Sequence, residues 1–203
     1  MGELANQLKK EGWLKTPQII EAFKQVSRAD FVASGMKAFA FVNKALPIGW
    51  GQTISQPSVV AFMLELLEPK EGEKILDIGA GSGWTTVLLG KIVGPTGKVI
   101  GIEVNYDVAK FGRSNIEKYN LPNVEYICQN GYLGYKEEAP FDKILISAAL
   151  AEKELPPALK KQLKVGGIIV TPIKSSIFKF EKTSGKFKEE EFKGFVFVPF
   201  IKT

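Results

Sequence analysis

Between Ile75 and Trp84 the chain reads Ile-Leu-Asp-Ile-Gly-Ala-Gly-Ser-Gly-Trp, an apolar strand signal running into alternate glycines and then a helix signal. Glycine is the residue for a tight turn that must also let a ligand approach the peptide groups, and the helix start beyond it offers free N–H groups. The run therefore predicts a strand, turn and helix at the carboxyl edge of a parallel sheet, binding a nucleotide-like ligand. A dinucleotide fingerprint would carry its third glycine at position 84, where Trp84 stands, and no Walker lysine follows. NAD and ATP are thereby disfavoured.

Around this run, strand and helix signals alternate. Strands are expected at Lys74–Ile78, Lys98–Glu103, Val124–Cys128, Asp142–Ser147 and Gly167–Pro172, with helices at Trp84–Val93, Tyr106–Tyr119 and Glu154–Leu163. Such alternation argues for βαβ units on a mainly parallel sheet. The tail changes character: Ser176–Lys182, a Thr183-Ser184-Gly185 turn, Lys188–Phe192 and Phe195–Phe200 read as an antiparallel finish. Before the run, Gly2 to Val32 has apolar residues at helical spacing and predicts two short helices, the second starting at Thr16-Pro17. Ala33 to Ser55 is irregular and reads as a loop or packing plug, and Pro57 opens a helix that stops at Pro69. The expected fold is α/β: a doubly wound, mostly parallel sheet of the seven-stranded, Rossmann-like type with an antiparallel C-terminal end. A single domain over 1–203 is expected, with 1–56 forming a helical and loop segment and 57–203 the ligand-binding core.

Composition removes several chemistries. The 203 residues are 45% hydrophobic and 24% charged, enough for one domain with a sizeable core. Histidine is absent and Cys128 is the one cysteine, which excludes imidazole-based catalysis, an internal disulfide and a cysteine-cluster zinc site; no metal is expected. Cys128, within the third expected strand, reads as core packing rather than a nucleophile. The 27 basic and 22 acidic residues leave a net charge of +5, spread along the chain, which reads as solvated lysine-rich faces. No apolar stretch reaches the length of a membrane span and Met1 to Lys10 lacks the apolar region of a secretory signal, so a cytoplasmic protein is expected.

Two carboxylates narrow the ligand. Asp77 precedes the first glycine, where it can face a cationic amino group, and Glu103 closes the next strand, where it can take both ribose hydroxyls. Asn130-Gly131, after the third strand, is the place for an adenine contact, although an ordinary turn reads the same way. A ribose, an adenine, an ammonium group and no phosphates describe S-adenosylmethionine. The acceptor is narrowed by what is missing. Ser147-Ala148-Ala149-Leu150 stands where an amino-adenine methylase carries an Asn/Asp-Pro-Pro-aromatic box, and there is no histidine base. A carboxylate acceptor, already ionised at neutral pH, fits best.

The run Leu46-Pro47-Ile48-Gly49-Trp50-Gly51-Gln52-Thr53-Ile54-Ser55-Gln56-Pro57 resembles the signature of the protein-L-isoaspartate (D-aspartate) O-methyltransferases. The resemblance continues through Asp77–Gly83, Gly94–Glu103, Gly134-Tyr135, Glu138–Asp142, Gln162–Gly167 and Phe197-Val198-Pro199. It implies a repair enzyme that methylates the α-carboxyl of isoaspartyl residues in peptides and proteins, using S-adenosyl-L-methionine and releasing S-adenosyl-L-homocysteine. It further implies that Ser55 is the active-site serine and that Gln52, Thr53 and Ile54, with Ser55, form the loop covering the cofactor. Asp77, Gly79, Ala80, Gly81 and Gly83 would form the glycine motif, Glu103 the ribose carboxylate and Asn130-Gly131 the adenine side. The chain departs from the family's pattern at Asn130, at Leu150-Ala151 and at Lys174, the last of which reads as a solvated turn residue ahead of the alternative that it holds a substrate carboxylate. A monomer with no membrane or specific nucleic-acid partner is expected. Two other readings keep the scaffold: a methyltransferase for RNA or a small molecule, and a relative that binds cofactor or peptide without turnover.

Overall fold

The structure is a computed structural model and describes residues 2–200. Two short helices, α1 (Glu3–Lys10) and α2 (Pro17–Gln25), precede an antiparallel hairpin of β1 (Leu46–Gly49) and β2 (Gln52–Ile54) and the helix α3 (Pro57–Leu67). Strand and helix then alternate through β3 (Lys74–Ile78), α4 (Trp84–Val93), β4 (Lys98–Glu103), α5 (Tyr106–Ile116) and β5 (Val124–Cys128). After β6 (Phe141–Ile146) come α6 (Pro157–Gln162), β7 (Leu163–Ile173), β8 (Ser176–Lys182) and β9 (Phe187–Lys193). The sheet order is β5-β4-β3-β6-β7-β8-β9, parallel from β5 to β7 and antiparallel for the last two strands. This is the fold class expected from the sequence. Because β3 has β4 on one side and β6 on the other, the chain reverses direction across the sheet here, which opens a crevice at the strands' carboxyl ends.

Side chains alternate across the strands and so divide the core. Ile75, Val99, Leu145, Ile168, Val170 and Ile177 join the face covered by α1 to α5. Leu76, Ile78, Ile100, Ile102, Ile144, Ile146 and Ile169 join the opposite face, with Leu159 of α6. Buried on both faces, the central strands read as continuous apolar runs. On the first face α2 docks on α4, where Phe23 meets Trp84 edge-on at 5.6 Å between ring centres. The start of α2 is held from α3: Glu65 accepts the N–H of Lys15 and Thr16 at 2.8 and 2.9 Å and the Thr16 hydroxyl at 2.6 Å.

Four local expectations are corrected. The loop from Ala33 to Ser55 contains the β1–β2 hairpin, whose turn carries an exposed Trp50 at positive φ, and 3-10 turns lead into it. The segment Phe195–Phe200 is no antiparallel strand. It bridges Ala149 in the parallel sense, with Ala149 N–H donating to Val198 O and Phe200 N–H to Ala149 O, both at 2.8 Å. The last crossover helix spans only Pro157–Gln162, because prolines at 156 and 157 fix its start and β7 begins at Leu163. Cys128 is exposed rather than packed in the core, since it ends the edge strand β5.

Helix α5 crosses the glycine turn so closely that a side chain at Gly112 has no room. A Cβ there would lie 2.4 Å from the Gly81 carbonyl oxygen and 2.5 Å from the Tyr126 hydroxyl. In an unconstrained helix, Gly→Ala is favourable by about 1 kcal/mol. Gly112→Ala is expected to reverse that sign and destabilise the protein by roughly 1–3 kcal/mol through overpacking. Urea denaturation measures this, and a stabilised variant would contradict the close crossing.

Candidate active site

The turn after β3 is built from inside the protein. Asp77 is completely buried, and its Oδ2 accepts the hydroxyls of Thr85 and Thr86 in the first turn of α4, each at 2.7 Å. Tyr126 donates its hydroxyl to the Gly81 carbonyl at 2.6 Å, and Asn115 donates to the Ser82 carbonyl at 3.1 Å. The turn's own donors are engaged as well. Gly79 and Ala80 give their N–H to Ile102 O, Gly81 gives its N–H to Glu103 Oε2 at 3.1 Å, and Gly83 gives its N–H to Ala80 O. A phosphate-binding loop needs such donors free. Four of them committed to protein acceptors leave a turn suited to a ligand without phosphates.

Glu103 is 8% exposed, and its other oxygen accepts the Asn105 N–H at 3.0 Å. Each carboxylate oxygen thus takes one backbone donor and retains a further lone pair for a hydroxyl. Asn130 caps the turn at Gly131, its side-chain oxygen accepting the Tyr132 N–H at 2.8 Å. Gly131 must be glycine for a packing reason: a Cβ there would lie 2.3 Å from Ile78 Cγ2.

These elements bound a cavity of about 720 Å³ at the carboxyl ends of β3, β4 and β6. That volume suits a nucleoside-sized ligand. Gln52, Thr53, Ile54 and Ser55 form one wall, and Gly79, Ala80, Gly81 and Glu103 another, with Asn130 and Gly131 beyond. The cavity therefore gathers ten of the twelve residues expected at the site; Asp77 and Gly83 stand behind it, shaping the turn. Ser55 precedes the N-cap of α3, which is Gln56, and so has no capping duty. Ser55 itself lines the cavity. The mixed lining, apolar at Ile54, Val60, Ile78 and Ile102 and carboxylate at Glu103, fits the adenosyl portion of S-adenosylmethionine.

Comparison with known proteins agrees with this fold. The family model for protein-L-isoaspartate(D-aspartate) O-methyltransferase matches residues 1–203. The chain belongs to this family, whose members are S-adenosylmethionine-dependent methyltransferases. It is 38% identical to the protein-L-isoaspartate O-methyltransferase of Ignicoccus hospitalis, over 98% of this chain and 96% of that one. Among solved structures, a protein-L-isoaspartate O-methyltransferase superposes with a TM-score of 0.88 at 27% identity, covering 97% of this chain and 64% of the other. A Plasmodium falciparum protein described as a beta-aspartate methyltransferase, solved with S-adenosyl-L-homocysteine, shares the fold with a TM-score of 0.87 at 24% identity. It is matched over 100% of this chain and 98% of its own length.

In this isoaspartate methyltransferase family member, sequence reasoning missed one wall. Gly194 to Phe200 lines the cavity, and Val196 there is 92% exposed. The signal was the Phe197-Val198-Pro199 ending, which marks the family but carries no reactive group. The departures lie elsewhere. Lys174 is an exposed turn residue at positive φ, Ala151 is exposed and Leu150 is buried, and none of the three lines the cavity.

Burial pushes the Asp77 carboxyl from 3.8 up to about 6, opposed by the two threonine hydroxyls and reinforced by the charge on Glu103. Its folded value exceeds its unfolded one. Its contribution to stability is therefore full below about pH 4 and lost as pH rises through about 6. Asp77→Asn is expected to remove this slope in the ligand-free protein. Comparing urea midpoints of the two proteins from about pH 4 to about pH 7 measures it. A constant difference between them would show that Asp77 does not titrate there.

Proposed function

We propose that this protein methylates the α-carboxylate of L-isoaspartyl residues in damaged polypeptides, so that the ester can collapse through a succinimide towards repair. One observation carries the reading: Ser55, free of any capping role, stands on the wall of a cavity whose other wall is the glycine turn and Glu103. Bound there, S-adenosylmethionine supplies an electrophilic methyl group on a sulfonium.

The chain's residues then bind and orient. Glu103, held by two backbone donors, accepts the ribose hydroxyls, and Asn130 and Gly131 flank the adenine. Asp77 acts from beneath, holding the start of α4 under the turn through Thr85 and Thr86. Ser55 donates its hydroxyl to one oxygen of the substrate carboxylate and so fixes the direction of the other. A carboxylate is ionised at neutral pH and needs no base, which agrees with a chain that contains no histidine. Gln52, Thr53 and Ile54 on one side and Phe195 to Phe200 on the other shield the reaction from water.

With this reading goes a single methyltransferase domain, working as a cytoplasmic monomer on peptide segments rather than nucleic acid. Among the described residues no helix is long and apolar enough to cross a membrane.

Peptides differing only in an isoaspartyl or an aspartyl linkage, incubated with labelled S-adenosylmethionine, test the assignment. Transfer is expected to the isoaspartyl peptide alone; equal transfer to both, or to neither while cofactor binds, would refute it. Ser55→Ala is expected to lower kcat/KM by an amount equivalent to one hydrogen bond to a charged group, ~1.5–3 kcal/mol, with cofactor affinity preserved. Glu103→Gln, by contrast, is expected to weaken S-adenosylhomocysteine binding measured by calorimetry, because a neutral amide accepts hydroxyls less strongly than a carboxylate.

A further inference from the structure

Arg28 lies behind the cavity, 0% exposed, and its bonding is unusual. One terminal nitrogen donates to the carbonyls of Ala40 at 2.8 Å and Val42 at 3.4 Å. The other donates to the carbonyls of Lys44 at 2.9 Å and Ser55 at 3.0 Å. The guanidinium also sits over the ring of Trp84, 5.3 Å from its centre, and Trp84 is the first residue of α4 directly after Gly83. Its Nε–H is buried without a partner, and burial alone pulls the guanidinium pKa down to about 10. It remains a cation at neutral pH.

The segment from residue 40 to residue 55 packs Ala40, Leu46, Ile48 and Ile54 into the core and Trp50 against Phe111, but the polar bonds of Arg28 are what join its two ends. Its regular structure is a two-stranded hairpin, marginal on its own, joined to α3 by the Ser58 N–H to Asn43 Oδ1 bond at 3.0 Å. One rigid planar fork binds three carbonyls leading into the hairpin and one leaving it, and presses the whole against the helix that starts at the glycine turn. A lysine cannot copy this, since it is a point charge with no fork geometry.

We infer that Arg28 is a positioning residue for methyl transfer: by clamping the carbonyls of Ala40, Lys44 and Ser55 over Trp84, it sets the Ser55 hydroxyl relative to the glycine turn. The inference rests on the role given to Ser55 above. Arg28 does not line the cavity, and it bonds none of Glu103, Gly79 or Asn130. It therefore acts on the alignment of the acceptor more than on cofactor affinity.

The test is Arg28→Lys, with Arg28→Gln as a second variant lacking the buried charge, each alone and combined with Ser55→Ala. Thermal unfolding first establishes that the proteins are folded at the assay temperature. The clamp predicts a fall in kcat of roughly 10- to 100-fold, the range expected when a reacting group is misplaced by about 1 Å. It predicts S-adenosylhomocysteine affinity within about twofold of wild type, and no further loss of kcat beyond about twofold when the change is added to Ser55→Ala. Proportional losses in kcat and cofactor affinity, or full multiplication of the two single effects, would make Arg28 a general structural residue and overturn the inference. So would unfolding of both variants. If wild type itself methylates no isoaspartyl peptide, the assigned reaction fails and the clamp is read from hydrogen exchange instead. Amides of residues 45–55 then exchange faster in Arg28→Lys while those of 79–83 are unchanged; equal exchange across residues 45–55 overturns the clamp.

Discussion

The Gly81 peptide is gripped on both sides, its carbonyl by the Tyr126 hydroxyl at 2.6 Å and its N–H by Glu103 at 3.1 Å. Much of the crevice follows from that grip. It draws the turn towards β4 and β5, it requires glycine at 112 so that α5 can pass, and it sets Glu103 facing the cavity with both oxygens already oriented. Burial and the nearby charges on Glu103 and Asp77 raise the Tyr126 pKa, so the phenol keeps its proton and remains a donor at every physiological pH. A bond made by a buried neutral donor to a backbone acceptor is not screened by salt or lost by titration. The turn is thereby preorganised before any ligand arrives.

Three charged groups surround this turn, and each is stabilised by hydrogen bonds rather than by an opposite charge. Asp77 relies on two threonine hydroxyls, Glu103 on two backbone N–H groups and Arg28 on four carbonyls and an indole face. Buried charge treated in this way costs stability, as the shifted pKa values of Asp77 and Arg28 record. In return, each group points in one direction. A cluster of ion pairs lies instead at the opposite, amino-terminal end of the strands, where Lys74 and Lys98 meet Glu138 and Lys164 meets Asp142. Those pairs are partly solvated and contribute little beyond tying strand starts together.

Local structure was legible wherever one period dominated a segment. The bounds of β3, α4, β4 and β5 coincide with those expected from the sequence, because apolar runs and helical spacing there agree with their glycine and proline borders. Legibility failed where the partner is distant. Residues 33–55 have no period of their own, and their hairpin is held by a side chain from residue 28. Phe195–Phe200 alternates like a strand, yet its partner is Ala149, not β9. Cys128 has an apolar neighbourhood in sequence but occupies an edge.

What the sequence determined by itself is the chemistry on offer: a glycine turn between strand and helix, carboxylates at 77 and 103, a serine before Pro57 and no imidazole anywhere. These follow from residue type and short spacing, which local backbone physics reads directly. Only the tertiary structure decided how those groups are shared. Asp77 was drawn beneath the turn rather than into the cavity, because β3 alternates and its odd residues face α4. The turn's N–H groups were spent on Ile102, Glu103 and Ala80, and the C-terminal segment became a wall of the cavity. Each outcome depends on which distant surface reaches a polar group first. Burial then enforces that choice, because no buried donor or acceptor can wait unpaired without cost.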